Sequence, residues 1–186
     1  MRYMKKASEF FYKKSNIIVC VILTTLMVLY ASLVMGSQSK CIPDGVSILG
    51  LRFSYDYESV IGLFNSLSSD ALHCYNNLLK IWDNIFPFLY GSMYIFWLSL
   101  IYKKQQFRYA GLRFINLYPV IPMLADFIEN YFERNLIGQF LMEKDVMELN
   151  VTIASVATQI KWSLSTINYI IILTGIILLI KRTVKR

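Results

Sequence analysis

Pro119-Val-Ile-Pro122-Met-Leu-Ala-Asp126-Phe-Ile-Glu129-Asn130 is greasy enough to enter a membrane, yet it carries two prolines, two carboxylates and an amide. A charge at the centre of a bilayer costs roughly 2.5–3.5 kcal/mol on the insertion scale, so such residues mark a site or a structural pair. Steps of three and four place Pro119, Pro122, Asp126, Glu129 and Glu133 on one helix face, with Asn130 beside it. A face of that composition turns away from lipid and toward other helices.

Those other helices are visible in the hydrophobic pattern. The chain has 186 residues, enough for one domain, and its 56% hydrophobic content falls in blocks. A spanning helix needs about 20 mostly apolar residues. Four segments qualify: Asn16 to Met35, Asn84 to Tyr102, Phe114 to Phe132 and Trp162 to Ile180. The third is the most polar, because of Asp126 and Glu129, and its alternative reading is a re-entrant or interfacial helix. The predicted fold is all-α: a single polytopic membrane domain over 1–186, built as a four-transmembrane-helix bundle with external loops at 36–83 and 133–161.

The formal charge of +7 is distributed in a way that argues against nucleic acid. Arg2, Lys5, Lys6, Lys13 and Lys14 precede the first segment; Lys103, Lys104, Arg108 and Arg113 link the second to the third; Lys181, Arg182, Lys185 and Arg186 end the chain. These are thirteen of the 19 basic residues, accompanied by one acid, Glu9. Positive-inside bias then puts both termini in the cytoplasm of a multi-pass cell-membrane protein. The basic ends read as topology signals and anionic-lipid contacts. The first segment is too long for a typical signal-peptide core, and no A-x-A site follows it, so it is expected to stay as a helix.

Loop 36–83 has its own periodicity. Ile61, Phe64 and Leu67 recur at helical spacing, as do Leu72, Tyr75, Leu78, Leu79 and Trp82. Ser68-Ser69-Asp70 reads as a helix N-terminus. Two short amphipathic helices on the outer face, or capping the bundle, are expected. Glu143 to Leu149 is expected to begin a long fourth helix. Cys41 and Cys74 both lie in this loop, where an oxidising exterior permits a disulfide, although two free thiols satisfy the sequence equally. With no CxxC, the chain lacks the active-site pair of the vitamin K epoxide reductase type. His73 is the single histidine and no ligand cluster accompanies it, so no metal is expected. Asn150-Val-Thr152 matches a glycosylation sequon close to the membrane. Nothing points to a cofactor, and no catalytic residues are assigned.

Two more polar stripes complete the pattern: Asp83, Pro87, Tyr90, Gly91 and Tyr94 in the second segment, and Thr158, Lys161, Ser165 and Asn168 before and within the fourth. At 1.5 Å per residue from Phe114, Asp126 stands about 18 Å and Glu129 about 22 Å along the third segment. Asp83 and Lys161 enter near the outer interface, so all four groups should meet in the outer half of the bilayer. Prolines 87, 119 and 122 should free backbone carbonyls to line a polar cavity. One lysine cannot neutralise two or three carboxylates. The surplus needs a proton, a cation or a cationic ligand, unless Lys161 merely locks packing with Glu129 or Asp126. The candidate ligand-binding residues are Asp83, Tyr90, Tyr94, Asp126, Glu129, Asn130 and Lys161. The aromatics Tyr90, Tyr94, Trp97, Phe127 and Tyr131 suit a lipophilic or cationic small molecule, and suit an interfacial belt equally.

Asp83-x-x-Phe86-Pro87-x-x-Tyr90 and Pro122-x-x-x-Asp126-x-x-Glu129-Asn130 resemble a pattern in small four-helix bacterial membrane proteins, over roughly residues 55–134. That resemblance implies the bundle and the importance of both acidic faces, with no assigned activity. A looser similarity links the acids and prolines to the EXPERA group, sterol isomerases among them; this chain lacks an acid in its first helix. The long first loop with two cysteines is similar to the claudin plan, without the claudin tryptophan signature. Three functions are therefore expected as alternatives. The first is a protein binding a lipophilic or cationic molecule in an outer-leaflet acidic pocket. The second is a membrane lipid isomerase using Asp126 and Glu129 as acid and base. The third is a structural or assembly subunit with a membrane-protein partner.

Overall fold

The computed structural model describes residues 2–103 and 110–184, with side chains to Ile177. Lys104, Arg108 and the side chains of the terminal basic group lie outside these. All the regular structure described is helical. Helix α1 (Arg2–Lys14) is amphipathic and was not anticipated from the sequence. It stops where Asn16 becomes extended; the Asn16 side chain accepts from the Val19 amide and so caps α2 (Ile17–Gln38). Asp56 caps α3 (Tyr57–Ser66) through Ser59 N. The Ser59 hydroxyl, followed by that amide, holds the Asp56 carboxyl below its ordinary range.

Ser68 caps the next helix by accepting from the Ala71 amide, as the Ser68-Ser69-Asp70 pattern predicts. The helix does not end where the expected loop helix does, however. It runs on as α4 (Ser69–Tyr102), with a π-helical turn at Leu78–Trp82. The expected second loop helix is thus the first half of the helix that carries the second apolar segment, and the loop is shorter than 36–83. The chain can take this course because the carbonyls disturbed by the π turn find side-chain donors. Asn84 donates to Leu79 O at 2.9 Å and Lys80 O at 3.0 Å, and Tyr30 donates to Trp82 O at 2.7 Å.

The third segment also differs from its predicted bounds. Ala110–Leu117 is 3₁₀ and the α-helix α5 runs Val120–Leu141. Pro119 is its N-cap and Pro122 lies in its first turn, where the amides have no intrahelical partner in any case. These two prolines therefore free no carbonyls; only Pro87, inside α4, does so. The final helix, α6 (Glu148–Val184), is continuous over 37 residues. Its early start fits the reading of Glu143 to Leu149, and the Asn150 sequon is helical.

Three stretches among the described residues are long and apolar enough to cross a membrane: Ile17–Gln38, Ser69–Tyr102 and Glu148–Ile177. Helix α5 does not join them because Asp126, Glu129, Glu133 and Arg134 punctuate it. Helix α4 is central, packing on α2, α5 and α6, while α5 and α6 lie against each other. Close approach is built in at Gly91, where a Cβ would collide with the Met123 side chain, and at Gly175, where it would collide with Ile101. A second apolar core, with Phe64, Leu72, Tyr75, Leu136, Ile137 and Val151, fixes α3 and the first half of α4 onto the far ends of α5 and α6. This is the expected cap. The Cys41–Cys74 disulfide is formed and ties the start of the α2–α3 connection to α4.

Candidate functional site

Helix α5 contributes its acidic face: Asp126, Glu129, Asn130 and Glu133 are all at most 3% exposed. Each is met by a neighbour from another element. The Lys161 ammonium on α6 lies 2.5 Å from Glu129 Oε2 and 3.7 Å from Asp126 Oδ1. Thr158, one turn earlier, donates to Glu129 Oε1 at 2.8 Å. Tyr90 on α4 donates to Asp126 Oδ2 at 2.9 Å. Glu133 accepts from Tyr75 at 2.5 Å and from Tyr55 at 3.2 Å. Burial, followed by the Glu133 charge, holds the Tyr55 phenol above its ordinary range and keeps it a donor.

Asn130 serves the backbone. Pro87 has no N–H to offer Asp83 O, and Asn130 Nδ2 donates to that carbonyl at 3.2 Å. The Asp-x-x-x-Pro spacing on α4 and the Asn on α5 are therefore two halves of one repair. Gly50, in the connection above, closes the cluster from the cap side. Its carbonyl accepts from Lys161 Nζ and Trp162 Nε1, both at 3.2 Å. A Cβ on Gly50 would stand 3.3 Å from Glu129 Oε1 and 3.7 Å from Lys161 Nζ, so the backbone sits close against the ion pair, and a larger residue would make the carboxylate give by a few tenths of an ångström.

Beside this cluster lies a cavity of about 340 Å³. Its charged wall is Asp83, Asp126 and Lys161; its aromatic wall is Phe86, Tyr90, Tyr94, Trp162 and Tyr169. Apart from Gly50 and Ser165, the rest is aliphatic or thioether, with Met27 and Met35 from α2 and Leu78 and Leu79 from the π turn. Both π segments, Tyr30–Met35 and Leu78–Trp82, border it, a placement such segments often have at functional sites.

The structure thus brings together Asp83, Asp126, Glu129 and Lys161. It seats Tyr90 and Tyr94 in the cavity wall and sets Glu129 and Asn130 behind it. Tyr94 packs edge-on against Tyr169 and Tyr90. The other proposed aromatics face elsewhere: Trp97 donates to Thr24 on α2 at 2.9 Å, Phe127 packs on Phe88, and Tyr131 is exposed. Tyr55, Tyr75 and Gly50 carry no sequence signal for this role; Glu133 and Thr158 lie on the stripes. His73 is exposed, and among the described residues no group of three His, Cys, Asp or Glu is arranged for a metal. Comparison with known family models, curated proteins and solved structures gives no match.

Proposed function

We propose that the protein is a four-span membrane protein that binds a small amphiphile with a single cationic head and an apolar body. One observation carries this reading: the apolar cavity ends on a wall where Asp83 and Asp126 face one Lys161. With Lys161 anchored on Glu129 behind the wall, the cluster has surplus negative charge, and the wall presents it at Asp83 and Asp126. A monocation against aromatic faces meets both electrostatic demands at once, and the aliphatic remainder suits a hydrocarbon part. In this reading α5 is the fourth span, its carboxylates sheltered from lipid by α4 and α6, with both termini cytoplasmic and the cavity in the outer leaflet.

The reading separates two roles within the acid face. Glu133, Tyr55 and Tyr75 form a closed set whose work is to hold the cap on α5. Glu129 anchors Lys161. Asp83 and Asp126 are the acids presented to a ligand. Native mass spectrometry of the full chain, released from detergent, tests it. A cationic amphiphile should co-purify with the wild type and be depleted in Asp83→Asn. Equal occupancy in both, or only neutral lipid in both, contradicts the proposal.

A further inference from the structure

A separate group of charges lies at the other end of the bundle, where α1 crosses the Ala110–Leu117 turn. A cavity of about 230 Å³ opens there, with Lys5, Lys103 and Arg113 as its cations and Glu9 as its acid. Glu9 is 3.9 Å from Lys5 in an exposed pair, and among the described residues no acid pairs with Lys103 or Arg113 at the mouth. Lys103 spends one donor on Ser15 O at 3.2 Å and has two others free to turn inward.

The walls are fixed rather than loose. Ser8 is buried and donates to Asn116 Oδ1 at 2.8 Å, while Asn116 Nδ2 donates to Ser8 O at 3.1 Å and Ser99 Oγ at 2.9 Å. One asparagine thereby joins α1, the 3₁₀ turn and α4. Tyr12 lines the same cavity, and its buried hydroxyl has no hydrogen-bond partner among the described residues. Burial, with Tyr102 adding to it, pushes the Tyr12 phenol up to about 12. The group is a proton donor at neutral pH. On the opposite side of α1, Tyr3, Met4 and Phe10 are exposed among exposed Lys6, Lys13 and Lys14, the composition of a helix lying in a membrane interface.

We propose that this pocket binds a phosphate group, on a phospholipid or free in solution, through Arg113, Lys103 and Lys5 with Tyr12 as a further donor. Cations and a phenol approaching from three elements match a tetrahedral anion better than a planar carboxylate, and the arginine fork pairs with two phosphate oxygens together. The site is independent of the amphiphile cavity.

The test uses the full chain, delipidated in neutral detergent, titrated with short-chain phosphatidic acid and separately with inorganic phosphate. Arg113→Gln should weaken binding of whichever probe saturates the wild type by about tenfold, the usual scale for a charged hydrogen-bond pair. Arg113→Lys should fall between the two and guards against a folding defect. The double substitution K13Q/K14Q, which removes equal or greater charge outside the pocket, should bind like the wild type. Lipid displaced by inorganic phosphate identifies the free ion as a competent ligand; lipid that resists displacement identifies the headgroup. Saturation by neither probe, or an equal loss in K13Q/K14Q, overturns the proposal.

Discussion

Asp83 is the residue at which recognition and architecture come apart. Its backbone carbonyl is committed to Asn130, while its carboxylate faces the cavity. Asp83→Asn should therefore leave the fold intact and weaken a cationic ligand. Asn130→Leu should do the reverse, leaving a buried carbonyl unpaired at a cost of about 1–3 kcal/mol, read as a lower thermal midpoint with ligand specificity unchanged. Glu133 belongs with the structural group. Glu133→Leu strands two buried phenols and should destabilise by roughly 2–6 kcal/mol, at about 1–3 kcal/mol for each unpaired donor, and the protein should accumulate poorly in the membrane. If Glu133→Leu instead accumulates and melts like the wild type, the division of labour along α5 is wrong. Much of this was legible in residues alone: the three- and four-step rhythm of Pro119 to Glu133 and the isolated Lys161 foretell a buried charge network. The rhythm cannot show that Gly50, Tyr55 and Tyr75 reach it, because those contacts depend on where the cap folds back. Their separations of 58 to 111 residues from their partners leave no local trace.

Among the elements, α4 shows where periodicity misleads. Its cap half and its membrane half read as two helices because the π turn at Leu78–Trp82 rotates the apolar face between them. The join is stabilised by Asn84 and Tyr30, whose donor roles look ordinary in sequence. The start of α5 misleads in the other sense: Phe114 to Tyr118 are apolar but for Asn116, yet Pro119 and Pro122 suit the first turn of a helix and so set its beginning later. The cap depends on its covalent tie. Cys41 and Cys74 are 33 residues apart, and closing a loop of that size stabilises by roughly 3–4 kcal/mol through the unfolded chain. A C41S/C74S variant should lose about that much, and reductant should lower the thermal midpoint of the wild type while leaving the variant unchanged. A wild type insensitive to reductant would show that the cap is held by its apolar core alone.

For the whole molecule, the proposed four-span topology makes a prediction about sidedness. Positive-inside bias would place the basic residues of α1 and of the link after α4 on the cytoplasmic side, and the cap with Cys41 and Cys74 outside. Impermeant maleimide should label Lys144→Cys in intact cells and Lys13→Cys only after permeabilisation. The native background is low, since Cys20 is buried and the other two cysteines are bonded. Labelling of both positions from outside would remove the four-span arrangement. The central claim, that the cavity reads positive charge on an apolar body, is tested most directly by one equilibrium titration. Wild type and Asp83→Asn are each titrated with dodecyltrimethylammonium and with its neutral tert-butyl isostere. The account predicts that the wild type prefers the cation by about tenfold and that Asp83→Asn abolishes the preference while leaving neutral binding unchanged. Equal affinity of the wild type for the two probes would contradict it.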